Sequence, residues 1–311
     1  MDFALDEQQR DFAASIDAAL GAADLPGAVR AWSAGDTAPG RKVWEQLANL
    51  GVTALAVPEK FDGIEAHPVD LVVAIERLGR WCVPGPVVES IAVAPVLLTD
   101  DERCTGLASG ELIATVAFPP QVPRAVGADA AGLVLLVTEN GVSEAGVGDP
   151  HDSVDPSRRL YDVTPTGNTW HADIKRAYEF GALATAAQLV GAAEALLNGA
   201  VDYAKQRSQF GRVIGSYQAI KHKLADVHIA IELARPLVYG AALSLEPRDV
   251  SAAKAAASEA ALLAARASLQ THGAIGFTQE HDLSLWLLRV QALRSAWGTP
   301  EAHRLRVLEA L

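Results

Sequence analysis

The chain has 311 residues, 50% of them hydrophobic and 21% charged, and its 38 acids against 26 bases leave a formal net charge of −12. That apolar content excludes a chain that stays disordered, because burying it offsets the entropy of ordering the backbone. The acidic balance excludes nucleic acid or an anionic membrane surface as the main partner, since both reward clustered Lys and Arg.

The length suggests about two domains. Aromatic residues supply only 6%, so alanine and leucine carry much of the hydrophobicity, as in closely packed helices. Cys82 and Cys104 form no CxxC pair, which fits a reducing cytoplasm. The start, Met1-Asp2-Phe3 with Asp6 and Glu7 close behind, lacks the basic and apolar regions of a secretory signal. The most apolar long run, Ala182 to Val201, is broken by Gln188, Glu194 and Asn198, so no membrane span is expected.

Residues 1–110 alternate helical patterns with Pro/Gly turns: one amphipathic run from Leu5 to Leu20, one from Val43 to Leu50, one from Val69 to Leu78. Residues 111–173 change texture. Ile113 to Phe118 and Gly132 to Thr138 are short apolar runs that read as strands, and Gly146-Val147-Gly148-Asp149-Pro150 reads as loop. This is a small β insert. Residues 174–311 read as a bundle of long helices: Ile220, Leu224, Val227, Ile231, Ala234 and Val238 keep one face, and Pro236 falls near its end. Ala252 to Leu269 is rich enough in alanine for close helix contact, and part of that surface is expected to meet a partner chain. The fold class is therefore mainly α with a small β insert, ending in a four-helix bundle.

No zinc spacing, nucleophile elbow or P-loop is present, and His222 between two lysines reads as a solvated histidine, so no metal site is expected. Two turns carry more. In Arg207-Ser208-Gln209-Phe210-Gly211, with Gln218 following, a guanidinium fork stands beside a ring at a turn, a geometry suited to a diphosphate. The same residues also suit a helix C-terminus with Arg207 on the dipole and Phe210 in the core. In Gln270-Thr271-His272-Gly273-Ala274-Ile275-Gly276, small residues admit a ligand to the backbone and Gln270 offers an amide, although a glycine cap accounts for the pattern too.

Together the two turns resemble the C-terminal helical domain of the acyl-CoA dehydrogenase family, whose Arg-x-x-Phe-Gly turn, following Gln, and later Gln-x-x-Gly-Gly-x-Gly turn come in this order. Met1-Asp2-Phe3-Ala4-Leu5, Trp44-Glu45-Gln46-Leu47, Val57-Pro58-Glu59 and Ile75-Glu76-Arg77-Leu78-Gly79-Arg80 are similar to the family's N-terminal pattern. The resemblance implies FAD as cofactor and an acyl-CoA as substrate. It also implies that Arg207, Gln209, Phe210, Gln218, Gln270, Gly273 and Ala274 contact the FAD of a neighbouring subunit.

The chain departs from the family where the catalytic carboxylate belongs. One of the family's two base positions directly precedes Gly298-Thr299, and here it is Trp297; the other falls at about Gly181. Glu179 is two residues away, a rotation of about 200° onto the wrong helix face. The Thr-Glu-Pro turn that cradles the flavin ring has no counterpart; the stretch reads Ala117-Phe118-Pro119-Pro120. No catalytic residue is therefore expected in this chain. That combination is similar to the short subunits of actinobacterial heteromeric acyl-CoA dehydrogenases acting on steroid-derived CoA thioesters. It implies a homologous partner in an α2β2 assembly that supplies the base. The alternative is a structural or regulatory paralogue without cofactor contact.

Overall fold

The computed structural model describes residues 4–98 and 100–311; Met1-Asp2-Phe3 of the N-terminal resemblance lies outside them. Eleven α-helices and seven strands follow along the described chain. The N-terminal part holds α1 (Glu7–Gly21), α2 (Leu25–Ser33), α3 (Ala38–Asn49), α4 (Pro68–Arg80), α5 (Ala94–Leu97) and α6 (Arg103–Ala108). Helix α1 starts at a reciprocal cap: the Asp6 carboxylate accepts from Gln9 N at 2.8 Å while the Gln9 amide oxygen accepts from Asp6 N. The short α2, absent from the three expected helical runs, starts at an Asp24 cap and buries Leu25, Ala28, Val29 and Trp32 along one face.

Five strands form the insert's sheet: β1 (Ala114–Ala117), β2 (Ala125–Val126), β3 (Leu133–Thr138), β4 (Gly141–His151) and β5 (Leu160–Trp170), in the order β1-β3-β4-β5-β2. The expected loop Gly146–Pro150 is instead part of β4. It pairs antiparallel with β5, Gly146 against Thr164 and Pro150 against Tyr161, with a register shift between Val147 and Pro150. Most of its side chains face solvent, so no apolar alternation marks it. The backbone ladder makes the strand, and the irregular register accommodates a proline that cannot donate.

The C-terminal part holds α7 (Ile174–Gln206), the hairpin strands β6 (Ser208–Gln209) and β7 (Arg212–Val213), α8 (Gln218–Ser244), α9 (Pro247–His272), α10 (Leu283–Ser295) and α11 (Pro300–Glu309). α7, α8, α9 and α10 pack as the bundle, and α11 lies on α9. α7 is long and apolar enough to span a membrane, yet 89% of its most apolar stretch is buried inside this chain, the mark of a core helix. It crosses α4 backbone to backbone: a Cβ on Gly191 would overlap the Glu76 carbonyl, and one on Gly79 would overlap that of Gln188. The expected face of α8 is buried at Leu224, Val227, Ile231, Ala234 and Val238, and Pro236 lies within the helix.

The alanines of α9 correct one expectation. Ala253, Ala257, Ala260, Ala261, Ala264 and Ala265 are buried within the chain itself, because α9 runs between α7, α8 and α11. Exposed apolar residues stand out most regularly on α8, where Ile229, Leu233 and Leu237 lie one helical turn apart; on α9 Leu263 is exposed among the buried alanines.

Candidate functional site

α7 ends at Gln206, and Arg207 turns out of the helix with extended backbone while its N–H still closes on Tyr203 O at 2.9 Å. The next residues form a two-residue hairpin. Ser208 pairs with Val213 and Gln209 with Arg212, and both tip residues are left-handed, Phe210 at φ 52° and Gly211 at φ 81°. That is the backbone a tight hairpin demands, and it holds the Phe210 ring outward, 92% exposed. The core role for Phe210 is thereby excluded. Arg207, Gln209 and Gln218 are exposed as well, and Arg207 makes no ion pair with any described residue. Arg212 lies over the Tyr217 ring, 3.9 Å from its centroid, and the Tyr217 hydroxyl donates to Gln209 O at 3.2 Å.

The Gln–Gly turn closes α9. Gly273 adopts φ 63°, ψ −137°, a backbone that L side chains avoid, and a Cβ there would meet nothing within 4 Å. The turn is therefore glycine for its dihedral angles, and its outer face is open. Ala274 is exposed and the Phe277 ring is 76% exposed.

About sixty residues apart in sequence, the two turns meet at one end of the bundle. The Tyr203 ring stacks on His272 with centroids 4.4 Å apart, and Lys223 of α8 donates to the Gln270 amide oxygen. The sequence signal that marks this face is charge. Between Asp202 and Asp226 stand Lys205, Arg207, Arg212, Lys221 and Lys223 without a single acid, in a chain of net charge −12. The N-terminus of α8 has no side-chain cap in the same stretch, so its first N–H groups receive no side-chain acceptor. Of these, Arg212, Tyr217, Lys223 and Phe277 were not among the expected site residues.

The donor set suits the phosphate and adenosine half of FAD: an unpaired guanidinium, three amides, an open glycine face and exposed rings. These residues stand on an exposed surface of the chain.

The positions where the family carries its base are filled. Trp297 is fully buried, at φ 54°, and its Nε1–H donates to Glu89 at 3.1 Å. A Cβ on Gly181 would overlap the Trp297 ring, so the two alternative base positions are in contact and one indole occupies both. Phe118, from the stretch that lacks the Thr-Glu-Pro turn, packs edge-on against the same indole at 5.8 Å, and Tyr178 at 6.1 Å. The Trp297 carbonyl accepts from His303 Nε2 at 2.8 Å, and burial pulls His303 down to about 4, so that ring is neutral near pH 7. Lys254, fully buried, sets its ammonium among the carbonyls of Leu293, Arg294 and Gly298 and the Ser258 hydroxyl, tying the end of α10 to the Trp297 loop.

Glu179 faces elsewhere. It pairs with Arg306 beside a cavity of about 700 Å³ lined by Tyr178, Lys175 and Arg176, and burial raises its pKa against the pull of Arg306.

Residues 6–100 match the acyl-CoA dehydrogenase N-terminal domain and residues 170–311 match the acyl-CoA dehydrogenase C-terminal domain. Acyl-CoA dehydrogenase IpdE2 of Mycobacterium tuberculosis is 33% identical over 292 residues, covering 92% of this chain and 91% of that protein. In fold, the chain is similar to the ChsE4–ChsE5 complex from Mycobacterium tuberculosis (TM-score 0.85, 22% identity, 99% of this chain and 98% of that one). It is similar also to a variant of the Tcur3481–Tcur3483 steroid ACAD (TM-score 0.84, 19% identity, 97% of each chain). With both domains matched and a relative similar along almost its whole length, this chain belongs to the acyl-CoA dehydrogenase family.

Proposed function

We propose that the chain is the base-free, cofactor-completing subunit of a heteromeric FAD-dependent acyl-CoA dehydrogenase. A homologous partner, in an α2β2 assembly in the cytoplasm, supplies the catalytic carboxylate. The reaction is α,β-dehydrogenation of a CoA thioester. One observation carries the reading: the indole of Trp297 fills both base positions, while the turns at Arg207 and Gln270 stay open and the stretch from residue 203 to 225 holds no acid. The likeness to the ChsE4–ChsE5 complex and to a steroid ACAD supports a heteromer and a steroid-derived substrate.

Bound FAD supplies the hydride acceptor. Arg207 would hold its phosphates, Gln209 and Gln218 would donate from the hairpin and the start of α8, and the Phe210 ring would shield it from water. Gln270, Gly273 and Ala274 line the adenosine side. Removal of the α-proton needs a carboxylate held over the substrate, so that step falls to the partner.

The test is Arg207→Ala in the complex isolated with its partner subunit, with FAD content read from visible absorbance. Loss of one bidentate phosphate contact is expected to weaken FAD retention about tenfold. Unchanged FAD content favours a structural or regulatory paralogue without cofactor contact. A yellow, active assembly of this chain alone refutes the reading.

A further inference from the structure

Gln270 stands in the last turn of α9 with an exposed side chain. Free in solvent, such an amide samples several rotamers and presents either its oxygen or its NH2. Here one side is fixed, because Lys223 of α8 donates to the Gln270 amide oxygen. An ammonium has three donors and no acceptor. The contact therefore admits one polarity: oxygen toward Lys223, NH2 away from it. The backbone beneath is also held. The His272 ring stacks on Tyr203, its Nδ1–H donates to Ser268 O at 2.9 Å, and the His281 ring meets it edge-on at 5.2 Å. Lys223 itself is half-buried and forms no ion pair with a described residue, so its charge is not committed elsewhere.

We infer that Lys223 is a positioning residue of the cofactor face: it presents Gln270 as a hydrogen-bond donor to an acceptor-rich ligand, the phosphate, ribose or adenine acceptors of FAD. The inference rests on the proposed function. Ordering the amide before binding removes an entropy cost that FAD binding otherwise bears. The lysine acts through Gln270, so its effect requires the amide to be there.

The experiment uses the complex isolated with its partner subunit and follows FAD release by the rise in flavin fluorescence, with thermal melting recorded alongside. Lys223→Met is expected to speed release about tenfold, and Lys223→Arg, which still donates, to stay within about twofold. In a Gln270→Ala background Lys223→Met adds less than about twofold, because the two residues form one unit. Gln270→Glu keeps the shape and the lysine contact but leaves no donor, and is expected to release FAD at least as fast as Gln270→Ala.

A Gln270→Glu variant that retains FAD like the parent overturns the inference, as does full additivity of the Lys223 and Gln270 effects. A Lys223→Met variant that melts earlier with unchanged FAD release overturns it too, by showing a purely structural role. Arg207→Ala separates the two levels. If it speeds release while the Lys223 variants do not, the positioning role fails and the proposed function stands; if neither it nor Gln270→Ala alters release, the proposed function fails with it.

Discussion

Replacing Trp297 by alanine tests whether the pocket where a base belongs is packed shut. The indole is fully buried, lies against Gly181, Phe118 and Tyr178, and donates to Glu89. Truncating a buried tryptophan costs about 3–5 kcal/mol through lost transfer energy and the cavity left behind. Glu89, whose other carboxylate oxygen already has no hydrogen-bond partner, loses its indole donor, which adds about 1–2 kcal/mol. Alanine inherits the left-handed backbone of Trp297, φ 54°, so that strain cancels from the difference. The expected loss is about 5 kcal/mol, or a melting temperature lower by roughly 10 °C. Thermal unfolding of the complex measures it, and added indole should restore part of the loss by refilling the cavity and its Glu89 contact. A loss below about 1 kcal/mol refutes the packing argument, since ordinary surface substitutions fall below that. A CoA thioester bound in this chain at the Trp297 position refutes the filled pocket itself.

Three further outcomes follow from the same structure. Gly191→Ala should destabilise by more than about 3 kcal/mol, because its Cβ would overlap the Glu76 carbonyl where α4 and α7 cross, whereas Gly199→Ala in the same helix, with open space around its Cβ, should be neutral or stabilise by up to about 1 kcal/mol in the same denaturation assay. Arg289→Met should cost about 3–5 kcal/mol, since it strands Asp155, whose carboxyl burial pushes up but the 2.5 Å contact with Arg289 holds below its usual value. Burial lowers Lys254 to about 7, so between pH 7 and about 8.5 the unfolded chain holds more protons there than the folded one and stability should rise with pH; Lys254→Met should flatten that slope. Above that window Cys82 and Cys104, both raised to about 11 by burial, pull the other way, because the unfolded thiols ionise first.

The sequence shows most clearly where periodicity or an ordered set of side chains carries the information. The buried face of α8 could be read from its 3- and 4-residue steps, and the Arg207 and Gln270 turns from residue types whose order resembles the family's. β4 could not. Its strand character resides in backbone pairing with β5, and a run such as Gly146-Val147-Gly148-Asp149-Pro150 has neither alternation nor β-branched content to reveal it. The meeting of the two turns was invisible for another reason. Tyr203 on His272 and Lys223 on Gln270 are contacts between helices, and no local pattern encodes which helix ends coincide. The acid-free stretch from residue 203 to 225 was there to be counted, and it marks the same face. The alanine of α9 misled because small residues favour close approach equally within a chain and between chains; only burial decides which.

Conformation at the Arg207 hairpin gives an argument independent of family likeness. A bulky residue in the left-handed region is uncommon and costs on the order of 1 kcal/mol. Here Phe210 accepts that backbone and in return buries almost nothing, being 92% exposed. Among the cations around it, Arg207, Arg212, Lys221 and Lys223 form no ion pair with a described residue, while Lys205 lies 3.7 Å from Asp202. The N-terminus of α8 is left uncapped beside them, where a capping side chain is worth about 1 kcal/mol. Each of these is a loss for a chain folding for itself, and all lie on one face. The pocket at Trp297 shows the opposite: both positions where the family carries its base are packed, down to an indole resting on a glycine. Stability has been gained where this chain would catalyse and forgone where a ligand would meet it, which is the pattern expected when cofactor binding has been retained and proton abstraction has passed to another subunit.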